Sequence, residues 1–171
     1  MEYCSLCGGK YVQGRKQPWL CSKCGNEHFL NSSPTVEIAL FDSKGRILLA
    51  KRGIEPNKGK YDLPGGFLNL GEKVENGLLR EIEEELGLTA SDFTSPVYCT
   101  SWNGDGYRFS KEDIYTLNLV FTAKIHNPEK LKALDDVEST MFCEIADLGK
   151  IEFSYPGYPE QIKMAFNKLF N

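Results

Sequence analysis

The sequence lacks a long apolar segment and a strong charge of either sign. No stretch approaches the roughly 18 consecutive apolar residues that a membrane-spanning helix needs, and the first residues, MEYCSLCGGK, carry no apolar signal region. With 20 basic and 24 acidic residues the net charge is −4, which excludes a global field that would favour nucleic acid or anionic lipid. We therefore expect a cytosolic protein without a membrane partner.

Internal repeats and low-complexity tracts are also absent from the 171 residues. That length suggests one domain with room for a small appendage. The hydrophobic content of 41% is ordinary for a globular protein. Size and composition together predict a folded core of normal extent.

Four of the six cysteines form two Cys-x-x-Cys pairs. Thirteen residues separate the two pairs, which are Cys4 with Cys7 and Cys21 with Cys24. Two such pairs are typical of a structural Zn²⁺ site with four thiolate ligands in a reducing compartment, so we predict zinc rather than disulfides. A segment of about thirty residues cannot build its own core, so the metal would supply its folding free energy.

The densest negative charge lies in residues 80–85, where four carboxylates occupy six positions. On a helix, Glu81, Glu84 and Glu85 share one face because they stand three and four positions apart. The opposite stripe is apolar and consists of Leu78, Leu79, Ile82 and Leu86. Crowded carboxylates favour a hard divalent cation such as Mg²⁺ or Mn²⁺. The alternative is a solvated acidic helix face.

Glycines stand on both sides of this acidic segment. After the turn residues Leu63 and Pro64, Gly65 and Gly66 carry no Cβ, which lets a ligand or an ion approach the backbone. Gly87 is placed to end the helix. These signals predict a glycine loop leading into a short helix whose acidic face turns back toward the loop.

The stretch from 66 to 88 resembles the Nudix box, Gly-x5-Glu-x7-Arg-Glu-U-x-Glu-Glu-x-Gly-U, in which U is an aliphatic residue. Every fixed position of the box is matched, by Gly66, Glu72, Arg80, Glu81, Ile82, Glu84, Glu85, Gly87 and Leu88. The resemblance implies a loop–helix–loop that binds divalent metals. It also implies hydrolysis of a nucleoside diphosphate linked to another moiety.

The resemblance assigns roles to particular residues of the box. Glu81, Glu84 and Glu85 are implied to bind the divalent metal, and the carbonyl of Gly65 to join them. Glu72 and Arg80 are expected to form an ion pair that holds the loop on the helix. The metal would then neutralise a diphosphate and lower the pKa of a water molecule that attacks phosphorus in line.

Residues outside the box are candidates for contacts with substrate and for the general base. Arg52 or a neighbouring lysine, among Lys51, Lys58 and Lys60, is a candidate contact for substrate phosphate near the glycine loop, with a solvated loop as the alternative. In this family the base is commonly a box glutamate or an acidic residue on a later loop. The candidates of the second kind are Asp136, Glu138 and Glu112.

The order of the predicted elements sets the domain organisation. We expect residues 1–33 to form the zinc ribbon and its linker, and residues 34–171 to form the Nudix domain. Apolar and β-branched runs predict strands at 36–41, 47–50, 96–101 and 114–125. Helical spacing predicts a closing helix at 159–170. These elements fit the α/β class and the α/β/α sandwich around a mixed sheet that the resemblance implies.

The segment from Trp102 to Glu112 contains two glycines, Gly104 and Gly106, and is predicted to be a mobile loop. Trp102 and Tyr107 offer faces on which a base can stack, so we expect this loop to contribute to substrate choice. The alternative is that both aromatic side chains pack beneath a surface loop.

A zinc ribbon joined to a Nudix domain also resembles the NADH pyrophosphatases. Those enzymes carry the signature Ser-Gln-Pro-Trp-Pro-Phe-Pro-x-Ser after the box, whereas residues 95–103 here read SPVYCTSWN. NADH and NAD-capped RNA are therefore demoted among the candidate substrates. ADP-ribose, another nucleotide sugar and nucleoside triphosphates remain open.

A nucleotide-sensing regulatory module is the rival reading, with the ribbon contacting nucleic acid or a protein. The first 33 residues carry a mildly basic aromatic set, formed by Lys10, Tyr11, Arg15, Lys16, Trp19 and Lys23. Such regulators usually have eroded boxes, and this box is intact, which favours hydrolysis. Isomerases of isoprenoid diphosphates on the same fold are a rarer alternative. A homodimer is left open.

Overall fold

A computed structural model describes residues 2–12, 17–109 and 112–171, with the backbone alone for 105–109 and 112–113. The chain divides into two compact units, Met1–Ser32 and Ser33–Asn171. In the described part of the chain, no helix is both long and apolar enough to cross a membrane.

The first unit is a small three-stranded antiparallel sheet. Its strands are β1 (Tyr11–Val12), β2 (Trp19–Cys21) and β3 (Glu27–His28), in the order β1-β2-β3. Each cysteine pair lies in a tight turn that ends at a glycine with positive φ. In the first turn the amide of Gly8 donates to the carbonyl of Cys4, and in the second the amide of Gly25 donates to the carbonyl of Cys21. The two turns therefore have the same local geometry.

The second unit contains a seven-stranded mixed sheet. Its strands are β4 (Ser33–Phe41), β5 (Ile47–Arg52), β6 (Tyr61–Asp62), β7 (Gly65–Phe67), β8 (Val97–Phe109), β9 (Glu112–Lys124) and β10 (Val137–Cys143). The main order is β10-β5-β4-β9-β8, with β6 paired to β5 and β7 paired to β4. The β4–β9 pair is parallel and the other pairs are antiparallel.

Two helices cover the two faces of this sheet. Helix α1 (Val74–Leu86) packs on the face that carries Val36, Ile38 and Leu40 of β4. Helix α2 (Tyr158–Phe170) packs on the face that carries Ala39 and Phe41. Strand β4 is apolar at successive positions because each face of the sheet has its own helix. The predicted α/β/α sandwich around a mixed sheet is thus confirmed.

The prediction of a mobile loop after Trp102 is wrong. Residues Val97–Phe109 form one strand that pairs with β9, with a register shift between Gly104 and Tyr107. Gly104 is required by close packing, because a Cβ there would lie 2.0 Å from Oγ1 of Thr116 on the neighbouring strand. The glycines that indicate a loop in the sequence thus accompany a close approach and an irregularity within a strand.

Candidate active site

Gly65 and Gly66 hold the glycine loop against its neighbours. The backbone of β7 pairs with β4, and Gly65 has a φ of 144°. A Cβ at Gly65 would lie 2.0 Å from the carbonyl oxygen of Val36, and a Cβ at Gly66 would lie 2.6 Å from Oε2 of Glu81. A side chain at Gly65 would meet fixed backbone, whereas one at Gly66 would have to displace the end of Glu81, the box carboxylate that lies on the loop.

Arg80 joins the loop to the helix. Its guanidinium donates to both oxygens of Glu72, each at 2.9 Å, and to the carbonyl of Phe67 at 3.0 Å. These bonds from Arg80, with one from the amide of Asn69, lower the pKa of Glu72 to about 2. The predicted ion pair between Glu72 and Arg80 is confirmed.

The same guanidinium contacts two of the predicted metal ligands. One of its nitrogens, Nη1, donates to Glu81 at 2.7 Å and to Glu84 at 2.8 Å. Glu84 is otherwise exposed, whereas the side chain of Glu81 is mostly enclosed. Burial raises the pKa of Glu81 above its ordinary value, against the lowering effect of Arg80. Arg80 thus brings two of the three box carboxylates together.

Glu85 lies apart from these two, on the inner side of the helix. It is buried, and its Oε2 accepts a hydrogen bond from the amide of Gly65 at 2.9 Å. Burial raises the pKa of Glu85 to about 9, and the charges of Asp136 and Glu81 add to the rise against the bond from Gly65. A buried group of carboxyls with only oxygen donors is the environment that a hard divalent cation fits.

The described residues contain one group in which three or more metal-binding atoms lie within 4.8 Å of one another, and it is the four cysteines. The box glutamates are not drawn together that tightly, since Glu81 and Glu84 turn to Arg80 and Glu85 turns to Gly65. The helix places Glu81 and Glu85 beside the glycine loop, and an ion shared by all three carboxylates would have to compete with Arg80 for Glu81 and Glu84.

A cavity of about 480 Å³ opens beside Gly65 and Gly66. Its walls come from six strands, β4 to β9, and from segments before β6, before β10 and around α2. They include Thr35, Glu37, Arg52, Ile54, Asp62, Phe67, Gly104, Thr116, Asn118, Asp136, Ser154, Tyr155 and Tyr158. A smaller cavity of about 40 Å³ has Gly65, Glu85 and Asp136 in its wall. Gly65 and Asp136 line both cavities. The carboxyl group of Glu85 in the smaller cavity is therefore next to the larger one.

Arg52 does line the cavity, but it is held by protein carboxylates and carbonyls. Its Nη1 donates to Asp62 at 2.7 Å and its Nε to the carbonyl of Pro56 at 2.7 Å. Asp62 also accepts a hydrogen bond from the hydroxyl of Ser154. Burial raises the pKa of Asp62 against both of these partners. The charge of Arg52 is therefore largely matched before any substrate arrives.

Sequence reasoning missed Glu37 and Tyr158, which meet at the inner end of the cavity. The hydroxyl of Tyr158 donates to Oε1 of Glu37 at 3.1 Å, and both side chains are buried. Burial, followed by the charge of Asp62, raises the pKa of Glu37 to about 8. A signal was present, because Glu37 is the one charged residue in the apolar run 36–41.

The candidate bases outside the box differ in position. Asp136 lines both cavities and its carbonyl accepts the amide of Gly53 at 2.6 Å. Glu138 is exposed, pairs with Lys51 at 3.2 Å, and does not line either cavity. The side chain of Glu112 lies outside the described residues. The structure therefore brings Asp136, and not Glu138, close to α1, the glutamate helix that carries Glu81, Glu84 and Glu85.

The four paired cysteines converge within the first unit. Their sulfur atoms lie 3.3 Å apart between Cys7 and Cys24, 3.5 Å between Cys7 and Cys21, and 3.8 Å between Cys4 and Cys24. Four sulfurs at Zn–S distances of about 2.3 Å in a tetrahedron stand about 3.8 Å apart. No disulfide joins these cysteines, and their arrangement fits a tetrahedral metal site.

The described lysines of the basic set, Lys10 and Lys23, make contacts within the first unit. Lys10 lies over the ring of Tyr3 at 5.7 Å, and Lys23 donates to the carbonyl of Cys7 at 3.5 Å. Arg15 and Lys16, which complete the predicted set, lie outside the described residues. The side chains that are described serve contacts within the unit.

Comparison with known proteins gives a family and several relatives. Residues 32–164 match the family described as NUDIX domain. The ADP-ribose pyrophosphatase of Methanocaldococcus jannaschii is 32% identical over 123 residues, which cover 71% of this chain and 69% of the relative. The NAD-capped RNA hydrolase NudC of Stutzerimonas stutzeri is 26% identical over 148 residues, which cover 86% of this chain and 49% of the relative.

A second NAD-capped RNA hydrolase, NudC of Photobacterium profundum, is 34% identical over 88 residues, which cover 51% of this chain and 32% of the relative. The chain thus spans 32% and 49% of the length of these two hydrolases. Among solved structures, a NUDIX hydrolase from Nitrosomonas europaea aligns with a TM-score of 0.68 and 20% identity, covering 98% of this chain and 92% of the other.

The NUDIX domain of Shewanella oneidensis NrtR complexed with ADP ribose aligns with a TM-score of 0.66 and 19% identity, covering 82% of this chain and 90% of the other. At these identities the structural likeness concerns the fold.

Proposed function

This chain belongs to the Nudix family of pyrophosphohydrolases, and from that premise we propose that it hydrolyses the diphosphate bond of ADP-ribose or a closely related nucleotide with the help of Mg²⁺ or Mn²⁺. One observation carries the proposal. Buried Glu85 of α1 is bonded to the amide of Gly65, and Gly65 lines a cavity of about 480 Å³. A catalytic carboxyl and a space of ligand size are therefore adjacent.

We assign the divalent metal to Glu81, Glu84 and Glu85, with the carbonyl of Gly65 as a further oxygen donor. When bound, the ion supplies charge neutralisation of the diphosphate and activation of a water molecule. Arg80 and Glu72 position the glycine loop on the helix, so that the donors on both elements keep their spacing. Gly66 leaves room for Glu81 against that loop.

Asp136 is the acidic residue outside the box that the proposal assigns to proton transfer from water. It shares the wall of the smaller cavity with Glu85 and also faces the larger one. A carboxylate in that place can accept a proton from water that attacks a diphosphate lying along Gly65 and Gly66. Glu138 is too far toward the solvent-exposed edge of the sheet for this role, since it lines neither cavity.

ADP-ribose is placed first among substrates because a relative that aligns with this chain over 69% of its own length is named an ADP-ribose pyrophosphatase. NADH and NAD-capped RNA stand second, because the NudC relatives match this chain over a third to a half of their length. The four-cysteine site is assigned a structural Zn²⁺ in a reducing, cytosolic compartment, where thiolates persist.

The decisive experiment is a panel assay of the full chain with ADP-ribose, NADH, NAD⁺, dinucleoside polyphosphates and nucleoside triphosphates, each with Mg²⁺, with Mn²⁺ and with EDTA. We expect release of AMP and ribose 5-phosphate from ADP-ribose, abolished by EDTA. Failure to hydrolyse any member with either metal would overturn the proposal. Tight binding of a nucleotide without turnover would indicate the nucleotide-sensing module instead.

A further inference from the structure

The charges around the large cavity are unsuited to a bare phosphate. Among the described residues that line it, four are acidic, namely Glu37, Glu55, Asp62 and Asp136, and one, Arg52, is a cation. Arg52 is already bonded to Asp62 at 2.7 Å. An anion entering this space would meet more negative than positive charge. The cavity is therefore suited to an uncharged part of a substrate.

Glu37 lines this space and has one carboxyl oxygen that the described protein groups leave without a partner. Its Oε1 accepts the hydroxyl of Tyr158, whereas no described residue donates to its Oε2, which is fully enclosed. A buried carboxyl oxygen without a donor costs free energy, and such atoms in native proteins usually have a specific reason. Because Glu37 lines the cavity, a molecule bound there can supply the missing donor once the carboxyl group turns toward it.

The position of Glu37 relative to the glycine loop is set by the sheet. Glu37 on β4 is the direct antiparallel partner of Gly65 on β7. Its distance from the diphosphate region is therefore fixed by backbone pairing rather than by a flexible side-chain contact. A group bonded to Glu37 would belong to the part of the substrate that adjoins the diphosphate.

We propose that Glu37 is a specificity-determining residue that recognises the nucleoside half of the substrate, its Oε2 accepting a hydrogen bond from an N–H of the base or an O–H of the ribose. The proposal rests on the hydrolase function proposed above and names the part of the substrate that enters the cavity. Asn118 and Thr35 beside it already bond to each other at 2.6 Å, which leaves Glu37 as the acceptor that lacks a donor.

The test separates nucleoside recognition from hydrolysis by omitting both phosphate and metal. The full chain, ¹³C-labelled at its methyl groups, is titrated in EDTA at about pH 9, where Glu37 with its pKa of about 8 is ionised and can only accept. The ligands are adenosine, purine riboside, 2′-deoxyadenosine and 3′-deoxyadenosine, and the dissociation constants are taken from NMR shifts. Purine riboside lacks the exocyclic amine, and the other two analogues each lack one hydroxyl. The series therefore distinguishes a donor on the base from a donor on the sugar.

We expect one of the three analogues to bind wild type about 10- to 100-fold more weakly than adenosine, because the buried oxygen is then left unpaired. Glu37→Gln should bind adenosine and that analogue within a factor of about two of each other. Glu160→Gln, the same change at an exposed position of α2, should retain the wild-type discrimination.

Equal binding of all four nucleosides to wild type, or binding of none, would overturn the proposal. A Glu37→Gln variant that keeps the wild-type discrimination among the nucleosides would also overturn it. The same holds if wild type binds inosine, which carries an acceptor in place of the exocyclic amine, more tightly than adenosine. If Glu37→Gln does not fold, the wild-type series alone decides. Loss of the proposed hydrolase function has a different signature, namely no turnover of ADP-ribose with Mg²⁺ while nucleoside discrimination remains.

Discussion

The carboxylate of Glu81 lies against the backbone of Gly66, so close that a Cβ at Gly66 would stand 2.6 to 2.8 Å from all three of its terminal atoms. The contact joins the first glycine of the Nudix box to its first helical glutamate across fifteen positions of sequence. Because Gly66 has no side chain, the glutamate helix can pack closely against the glycine loop at this point.

Gly66→Ala should therefore lower activity while the fold is kept. The added methyl group must displace the end of Glu81, and a shift of about 1 Å in a catalytic group can cost on the order of 10²-fold in rate. The measurement is kcat for ADP-ribose with Mg²⁺, with the melting temperature as a check of folding. Gly149→Ala is the control, because a Cβ there meets nothing within 4 Å. Equal activity of both variants would contradict the tight contact.

Glu84→Gln and Glu85→Gln should each keep the shape of the site and lose most of the activity. The replacement removes the charge of one oxygen ligand, and a loss in kcat of about 10²-fold or more is expected if charge stabilisation at the metal carries the reaction. Glu83→Gln makes the same change on an exposed turn of the same helix and should retain wild-type kcat. Glu84 and Glu85 variants within twofold of wild type would remove both from the metal site.

Purified protein should contain about one equivalent of Zn²⁺, bound by the four paired cysteines. Elemental analysis should show the metal lost from Cys4→Ser and retained in Cys99→Ser, since Cys99 lies outside the cluster. Chelation should unfold residues 2–32 while hydrolysis stays measurable, because four thiolates leave no open coordination position. Metal-free protein with a disulfide among these cysteines in reducing buffer would refute the zinc site.

Trp102→Phe should weaken substrate binding more than it slows the reaction. The indole N–H of Trp102 donates to the hydroxyl of Tyr155, and Tyr155 lines the large cavity. Phenylalanine keeps an aromatic ring but lacks the donor, so we expect KM for the best nucleotide to rise by about 3- to 10-fold with a smaller change in kcat.

Tyr98→Phe, on the exposed part of the same strand, is the matched control for Trp102→Phe and should leave KM unchanged. If the two variants behave alike, the contact between Trp102 and Tyr155 does not shape the cavity. The side chain of Tyr107, the other aromatic residue predicted to contact the base, lies outside the described residues.

Asp92 should make the stability of the protein sensitive to acid. Its buried carboxylate accepts hydrogen bonds from Lys130 at 2.6 Å, from the amide of Thr89 at 2.9 Å and from Asn127 at 2.9 Å. The bond from Lys130, followed by that from Thr89, holds the pKa of Asp92 well below its usual range. Its stabilising contribution is thus complete above the unfolded-state pKa of about 4 and is lost as the pH falls below that value.

Asp92→Asn should accordingly have a lower melting temperature than wild type at pH 7, and the difference should shrink at about pH 3. Asp147→Asn removes an exposed carboxylate paired with Lys150 and should differ little from wild type at either pH, as surface ion pairs contribute little. A difference for Asp92→Asn that is the same at both pH values would show that protonation of this carboxyl does not control stability.

The local features of both units could be predicted from the sequence. The cysteine pairs and the shared face of Glu81, Glu84 and Glu85 follow from spacing, because a turn or a helix places residues a few positions apart in a known relation. The ion pair between Glu72 and Arg80 follows from the box. In each case the interacting groups lie near one another in the sequence or in a motif of fixed length.

The tertiary structure alone decided which distant residues meet. Glu37, Asp62 and Tyr158 come from β4, β6 and α2, and no local pattern relates them. Likewise, residues 97–109 form a strand despite their glycines, since β9 offers a long partner and Gly104 fits against Thr116. Such contacts depend on the register of the sheet and on which of its faces each helix covers. Both are determined by elements that lie far apart in the chain.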